Sequence, residues 1–191
     1  MSPAADAGRT TMRLLFVHGA GGQVEDRALA DALGAAVAAE IEMPLLPEDD
    51  MSYEGWAVPV REALAGAGPG DLVVAHSFGA SVLLRVLGED GTALPSGVVL
   101  LAMPDWTPDG WDVADYAYEG PEPRVPLSLH HCRDDQIVPH AHLELHARRL
   151  PSAATHLHPR GGHQFEGLAD VIGEDLLRRR RKPLQGRVRL P

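Results

Sequence analysis

The chain has one cysteine, Cys132, among its 191 residues. A single thiol excludes an internal disulfide and a zinc cage built on cysteines. No apolar run approaches the roughly 20 residues that a membrane-spanning helix needs, so no membrane association is expected. The opening stretch, MSPAADAGRTTMRLLF, has no basic segment followed by a long apolar one. It therefore does not read as a secretory signal, and the cytoplasm is the expected location. Positive charge is scarce and misplaced. Seven of the 17 basic residues fall between Arg178 and Pro191, which leaves ten against 27 acidic residues in the body. A body so acidic repels phosphate backbones, so no nucleic-acid partner is expected. The Arg178–Lys182 run reads as the solvated end of a helix, where positive charge suits the dipole. The glycine-rich stretch at Gly19, Gly21 and Gly22 does not complete G-x-G-x-x-G, and no Gly-Lys-Ser/Thr occurs. Neither a dinucleotide nor a nucleotide triphosphate site is indicated, and no cofactor is expected.

What is present is ordinary for a globular chain: 45% apolar and 23% charged residues. The length suits one domain that buries roughly 70% of its unfolded surface. Residues 1–11 read as a flexible leader, 12–182 as the domain and 183–191 as a tail. Short apolar runs at 13–17, 41–46, 71–75, 97–102, 126–131 and 154–158 read as strands. Between them, 26–40, 53–67, 78–87, 139–150 and 164–179 read as helices. Pro44 suggests an edge position for the second strand, and Pro59 a kink or late start in the second helix. Alternation of strand and helix, with strands apolar throughout, predicts an α/β fold. About six parallel strands would form a doubly wound three-layer sandwich with helices on both faces. Such sheets bind ligands beyond the C-terminal ends of their strands, so the loops that follow strands deserve the closest reading.

After the third strand comes Ala75-His76-Ser77-Phe78-Gly79. A strand that turns into a helix at a serine lifts the hydroxyl clear of the sheet and aims the first helical N–H groups at whatever the serine attacks. Ala75 stands where G-x-S-x-G has its first glycine. A serine that merely caps the helix is the plainer reading. After the fifth strand, Asp134 and Asp135 are able either to orient a histidine or to cap the helix near Pro139. After the sixth, His163 sits between Gly162 and a helix start. The order Ser77, Asp135, His163, each just past a strand, is the one α/β-hydrolases use, unlike chymotrypsin or subtilisin.

The segments FVHGAGG, AHSFGAS, DQIVP and GGHQF resemble the four signature loops of the α/β-hydrolases. The likeness covers about residues 12–180, and the small size is similar to the lidless serine hydrolases of the retinoblastoma-binding-protein/YdeN type. The resemblance implies the α/β-hydrolase fold without its first two strands, in the order 2-1-3-4-5-6 and with no separate lid domain. It implies Ser77 as nucleophile, His163 as base and Asp135 as the acid that orients it, with the backbone N–H groups of Ala20 and Phe78 as oxyanion hole. Asp135 is preferred to Asp134 because Asp135 to Pro139 matches the family's D-x-x-V-P spacing. Asp105 is a more distant choice.

The loop 103–125 holds Trp106, Trp111, Tyr116 and Tyr118, four of nine aromatics. It follows a strand, so these residues either line a substrate pocket or pack the loop down. His18 and His76, Trp106 and Trp111 are the expected pocket residues. His142 and His146 lie four apart, but H-L-E-L-H places its Glu wrongly for H-E-x-x-H, and no metal is expected. Cys132 reads as a small buried filler. The activity implied is hydrolysis of a carboxylic ester or thioester of a small molecule through an acyl-Ser77 intermediate. An amidase or peptidase on the same triad and a non-catalytic binding protein of the same fold are the alternatives. The sequence sets no oligomeric state.

Overall fold

A computed structural model describes residues 12–180 apart from residue 69. The expected leader, 1–11, and tail, 183–191, lie outside the described residues. Six strands form one sheet: β1 (Arg13–Val17), β2 (Glu40–Glu42), β3 (Leu72–His76), β4 (Val98–Leu101), β5 (Leu127–Cys132) and β6 (Ala154–His158). Their order is β2-β1-β3-β4-β5-β6, and every pairing is parallel. The helices are α1 (Gly22–Glu25), α2 (Arg27–Val37), α3 (Tyr53–Gly66), α4 (Ser77–Leu87), α5 (Ala141–Arg149) and α6 (Ala169–Arg180).

Strand side chains alternate between two cores. Leu15, Val17, Val73 and Ala75 meet Trp56, Val60 and Leu64 of α3, Leu83 of α4 and Leu143 of α5. Leu14, Phe16, Leu72 and Val74 meet Leu29 and Leu33 of α2 and Ile172 and Leu176 of α6. Both faces of the sheet are thus covered, which is why β1, β3 and β4 carry unbroken apolar runs, whereas β2, β5 and β6 are interrupted by polar residues. Among the described residues no helix is long and apolar enough to cross a membrane. The connection from β4 to β5 carries only a short 3-10 turn, Ala114–Tyr116, and forms no separate lid domain.

Several boundaries differ from the sequence reading. The helix expected over 26–40 is Arg27–Val37, and a short helix that was not expected, Gly22–Glu25, precedes it; Asp26 between the two turns its side chain inward. β2 stops at Glu42, two residues before Pro44, which has no N–H to offer a ladder, and it lies at the edge as expected. The helix expected from 164 begins at Ala169, because Phe165 and Gly167 hold the chain at positive φ. Pro59 sits inside α3, whose start Ser52 caps by accepting the Gly55 N–H at 3.1 Å. The basic end of α6 is only partly solvated: Arg179 reaches inward to Asp175 at 2.9 Å and to the Leu127 carbonyl at 2.9 Å.

Candidate active site

The turn from β3 into α4 is built around one strained residue. His76 is extended (φ −119°, ψ 141°), and Ser77, the first residue of α4, has φ 51°. A left-handed conformation at a residue with a side chain costs about 1–3 kcal/mol. The turn is tight enough to exclude side chains around it. A Cβ on Gly79 would run into the His18 carbonyl oxygen, and one on Gly19 would lie 2.9 Å from Ser77 Cβ. The departure at Ala75 costs little, since its methyl packs in the α3/α4-side core.

Past β5, Asp135 does not cap α5, whose N-cap is His140 with no side-chain hydrogen bond, but faces a histidine. Its Oδ1 accepts the Ile137 and Val138 N–H groups at 2.9 and 3.0 Å, which closes the turn toward α5. Its Oδ2 lies 2.9 Å from His163 Nδ1 and 3.3 Å from His131 Nε2. Burial pushes this carboxyl upward. The hydrogen bonds from His131 and His163, with that from Val138, outweigh it and hold the group well below the usual carboxylate range. Asp134 instead accepts from the Gly162 N–H at 2.9 Å and the Gly161 N–H at 3.3 Å, bracing the loop that carries His163. Asp105 is buried under Thr107 and Arg149, the latter at 2.5 Å, and has no contact with His163.

Ser77 and His163 line the same cleft, of about 310 Å³, together with Ala20, Phe78, Trp106 and Trp111. Among the described residues no hydrogen bond joins the Ser77 hydroxyl to the His163 ring. One wall is aromatic. Phe78 and Tyr116 meet edge to face at 4.9 Å, as do Trp106 and Trp111 at 5.0 Å, and Trp106 Nε1 donates to Ser81 Oγ at 2.8 Å. The loop 103–125 therefore both packs down and borders the cleft. Tyr118 lies away from it, against Gly88 and Gly120.

His18 does not belong to the cleft, contrary to expectation. Its ring is buried edge-on against Trp56, at 5.8 Å, on the α3 side. His76 does border the cleft, from below. Met51, Ile137, Gln164, Glu25 and Asp26 also border it, and the sequence reading had none of them. Asp26 falls within a run that reads as an ordinary helix face, so no local signal marks it.

His142 and His146 have structural partners. His142 Nδ1 accepts the Asp105 N–H at 2.7 Å, and His146 Nε2 donates to the Met103 carbonyl at 3.2 Å. The pair thus pins the start of the aromatic loop and does not converge on a shared point. His130, His156 and Asp175 bring potential ligand atoms within 4.8 Å of one another. The Asp175 carboxylate, however, already holds the Arg179 guanidinium at 2.9 Å, which opposes a second cation there. Burial, then the charges of Asp134 and Asp135, push the Cys132 thiol up to about 12, so it is no nucleophile.

No protein-family model and no curated protein matches the chain by sequence. Solved structures do match in shape. The ydeN gene product of B. subtilis superposes with a TM-score of 0.69 at 19% identity, over 90% of this chain and 100% of that one. Est1E from Butyrivibrio proteoclasticus gives 0.70 at 12% identity, over 93% and 92%. YbtT, a type II thioesterase of the yersiniabactin pathway, gives 0.67 at 17% identity, over 93% and 95%. The chain has the α/β-hydrolase fold. Within an α/β-hydrolase sheet of this strand order, direction of winding reverses between β1 and β3. That is where the Ala20 loop and the Ser77 turn stand side by side, at the ligand-binding switch point of doubly wound sheets.

Proposed function

We propose that the protein is a serine hydrolase that cleaves a carboxylic ester or thioester through an acyl-Ser77 intermediate. The observation that carries this reading is the pairing of His163 Nδ1 with the ionised Asp135 at 2.9 Å, on the same cleft as a serine held at φ 51°. Ser77 Oγ attacks the acyl carbon while His163 Nε2 takes its proton. Asp135 keeps the remaining proton on Nδ1 and stabilises the imidazolium. The carbonyl oxygen becomes an oxyanion facing the N–H groups of Ala20 and Phe78, each typically worth about 3–4 kcal/mol. His163 then returns the proton to the leaving alcohol or thiol. Water, activated by the same ring, attacks the acyl carbon and releases the acid with Ser77 restored. The aromatic wall favours an apolar acyl or alcohol group. The likeness in fold to a thioesterase keeps thioesters beside esters.

A fluorophosphonate probe should label the wild type and leave Ser77→Ala unlabelled, and short aryl esters should be hydrolysed by the wild type alone. Equal labelling of both proteins removes Ser77 from its role. Absence of labelling with a correctly folded wild type favours a non-catalytic binding protein.

A further inference from the structure

Under the cleft lies a second carboxylate–imidazole pair that the hydrolytic mechanism does not use. Asp26 and His76 are 2% and 1% exposed. Asp26 Oδ2 accepts the Gly19 N–H at 2.8 Å and faces His76 Nδ1 at 2.8 Å, while Oδ1 accepts from Gln164 Nε2 at 2.9 Å. The other ring nitrogen of His76, Nε2, lies 2.9 Å from the main-chain carbonyl of His163. Gly19 precedes Ala20, His76 precedes Ser77 and Gln164 follows His163. Each partner of Asp26 is thus one residue away from a different part of the proposed machinery, and His76 also reaches the main chain of His163 itself.

We propose that Asp26 and His76 are positioning residues, a buried couple that locks the oxyanion loop, the Ser77 turn and the His163 loop into one arrangement, with both ring nitrogens of His76 protonated. The proton count follows from the partners. A carboxylate and a peptide carbonyl are acceptors only, and a neutral imidazole has one N–H to offer them. Two short contacts therefore need two ring protons. The carboxylate side is consistent with this. Burial raises the Asp26 carboxyl, but the hydrogen bond and charge of His76, with the Gly19 and Gln164 donors, bring it down to about 2. Other groups around the His76 ring are the His163 ring at 4.5 Å, itself paired with Asp135, and the Phe165 ring at 6.3 Å. Neither offers the ring an acceptor that would replace the carbonyl. Burying such a pair is expensive, and apolar residues of similar volume commonly stabilise a core as well or better. What apolar residues would not do is fix three separate loops in register through directed bonds.

The catalytic part of this inference rests on the serine-hydrolase reading, and the protonation state does not. Two measurements separate them. In the wild type, nitrogen-resolved NMR of the histidine rings, assigned with His76→Gln, should show protons on both Nδ1 and Nε2 of His76 near pH 7. A single ring proton overturns the couple whatever the enzyme does. For the role, Asp26→Asn and His76→Gln should each lower kcat for 4-nitrophenyl acetate by about 10²-fold per active site titrated with fluorophosphonate, the size of effect a small misplacement produces. KM should stay within about twofold, and the double variant should be no worse than the poorer single one, as for groups that act as a unit. Unchanged kcat per titrated site, with only the folded fraction reduced, makes the pair structural and overturns the proposal. If Asp26→Asn does not fold, His76→Gln alone and the wild-type spectrum decide. A wild type that neither reacts with the probe nor hydrolyses esters sinks the hydrolase reading and the positioning role with it, while the spectrum still rules on the couple.

Discussion

Replacing Ser77 with glycine should stabilise the protein while removing its hydroxyl. Ser77 sits at φ 51°, a conformation that costs a residue with a Cβ about 1–3 kcal/mol and costs glycine almost nothing. Glycine gives back about 0.5–1 kcal/mol through the extra freedom of the unfolded chain. The proper reference is Ser77→Ala, which also lacks the hydroxyl but keeps the Cβ and its strain. The Cβ borders the open cleft, so little packing is lost with it. The balance leaves Ser77→Gly about 1 kcal/mol more stable than Ser77→Ala. For a domain of this size that is roughly 2–4 °C in Tm. Paired thermal melts and urea titrations read the difference, with equal m-values showing that the unfolded states are comparable. Ala80→Gly, in the same helix at ordinary helical geometry, should instead lose about 1 kcal/mol or more. A Ser77→Gly variant no more stable than Ser77→Ala would show that the turn stores no strain, and would remove one of the two observations on which the nucleophile rests.

Asp135→Asn should lower ester hydrolysis by about 10³–10⁴-fold, while Asp134→Asn, which keeps a carbonyl oxygen for the Gly162 N–H, should change it less than about tenfold; steady-state rates on one aryl ester decide, and the reverse ranking would exchange their roles. Asp26 gives the stability an acid limb. Its carboxyl is depressed from 3.8 to about 2 on folding, so its contribution is complete above about pH 4 and is lost as pH falls through about 2. That contribution is about 2 kcal/mol, and urea titrations between pH 2 and 5 should show a shallower loss in Asp26→Asn than in the wild type. Trp111→Ala should widen the cleft beside Trp106 and shift the preferred ester toward longer acyl chains; a chain-length profile identical to the wild type would place substrate elsewhere.

The parts of this molecule that show in its sequence are those whose cause is local. A strand covered on both faces favours apolar residues at successive positions, so Leu14 to Val17 and Leu72 to Ala75 announce themselves. A serine, an aspartate and a histidine that each follow a strand need only the order of elements to be brought to one rim. The errors have local causes too. Residues 164–168 carry helix-like composition, but the positive φ at Phe165 and Gly167 belongs to a loop folded against Cys132 and Leu168. His18 directly follows β1 and looks poised over the site, yet it packs on Trp56, 38 residues further along the chain.

Asp26 represents the opposite limit. Its partners lie 7, 50 and 138 residues away, and its role exists only once β1, β3 and the loop after β6 are side by side. No spacing rule can mark such a residue, because nothing about its neighbours in the chain distinguishes it from the solvated acids around it. Its burial does. A carboxylate withdrawn from water must find donors, and here the donors come from the same three loops that would have to hold still for acyl transfer. The serine and histidine loops are rich in glycine and positive φ, which frees them to take up the geometry but not to keep it. A charged hub beneath them supplies the restraint that their own sequences lack. The same physics that hides Asp26 from a local reading thus makes it the residue whose removal should loosen the site without emptying the cleft.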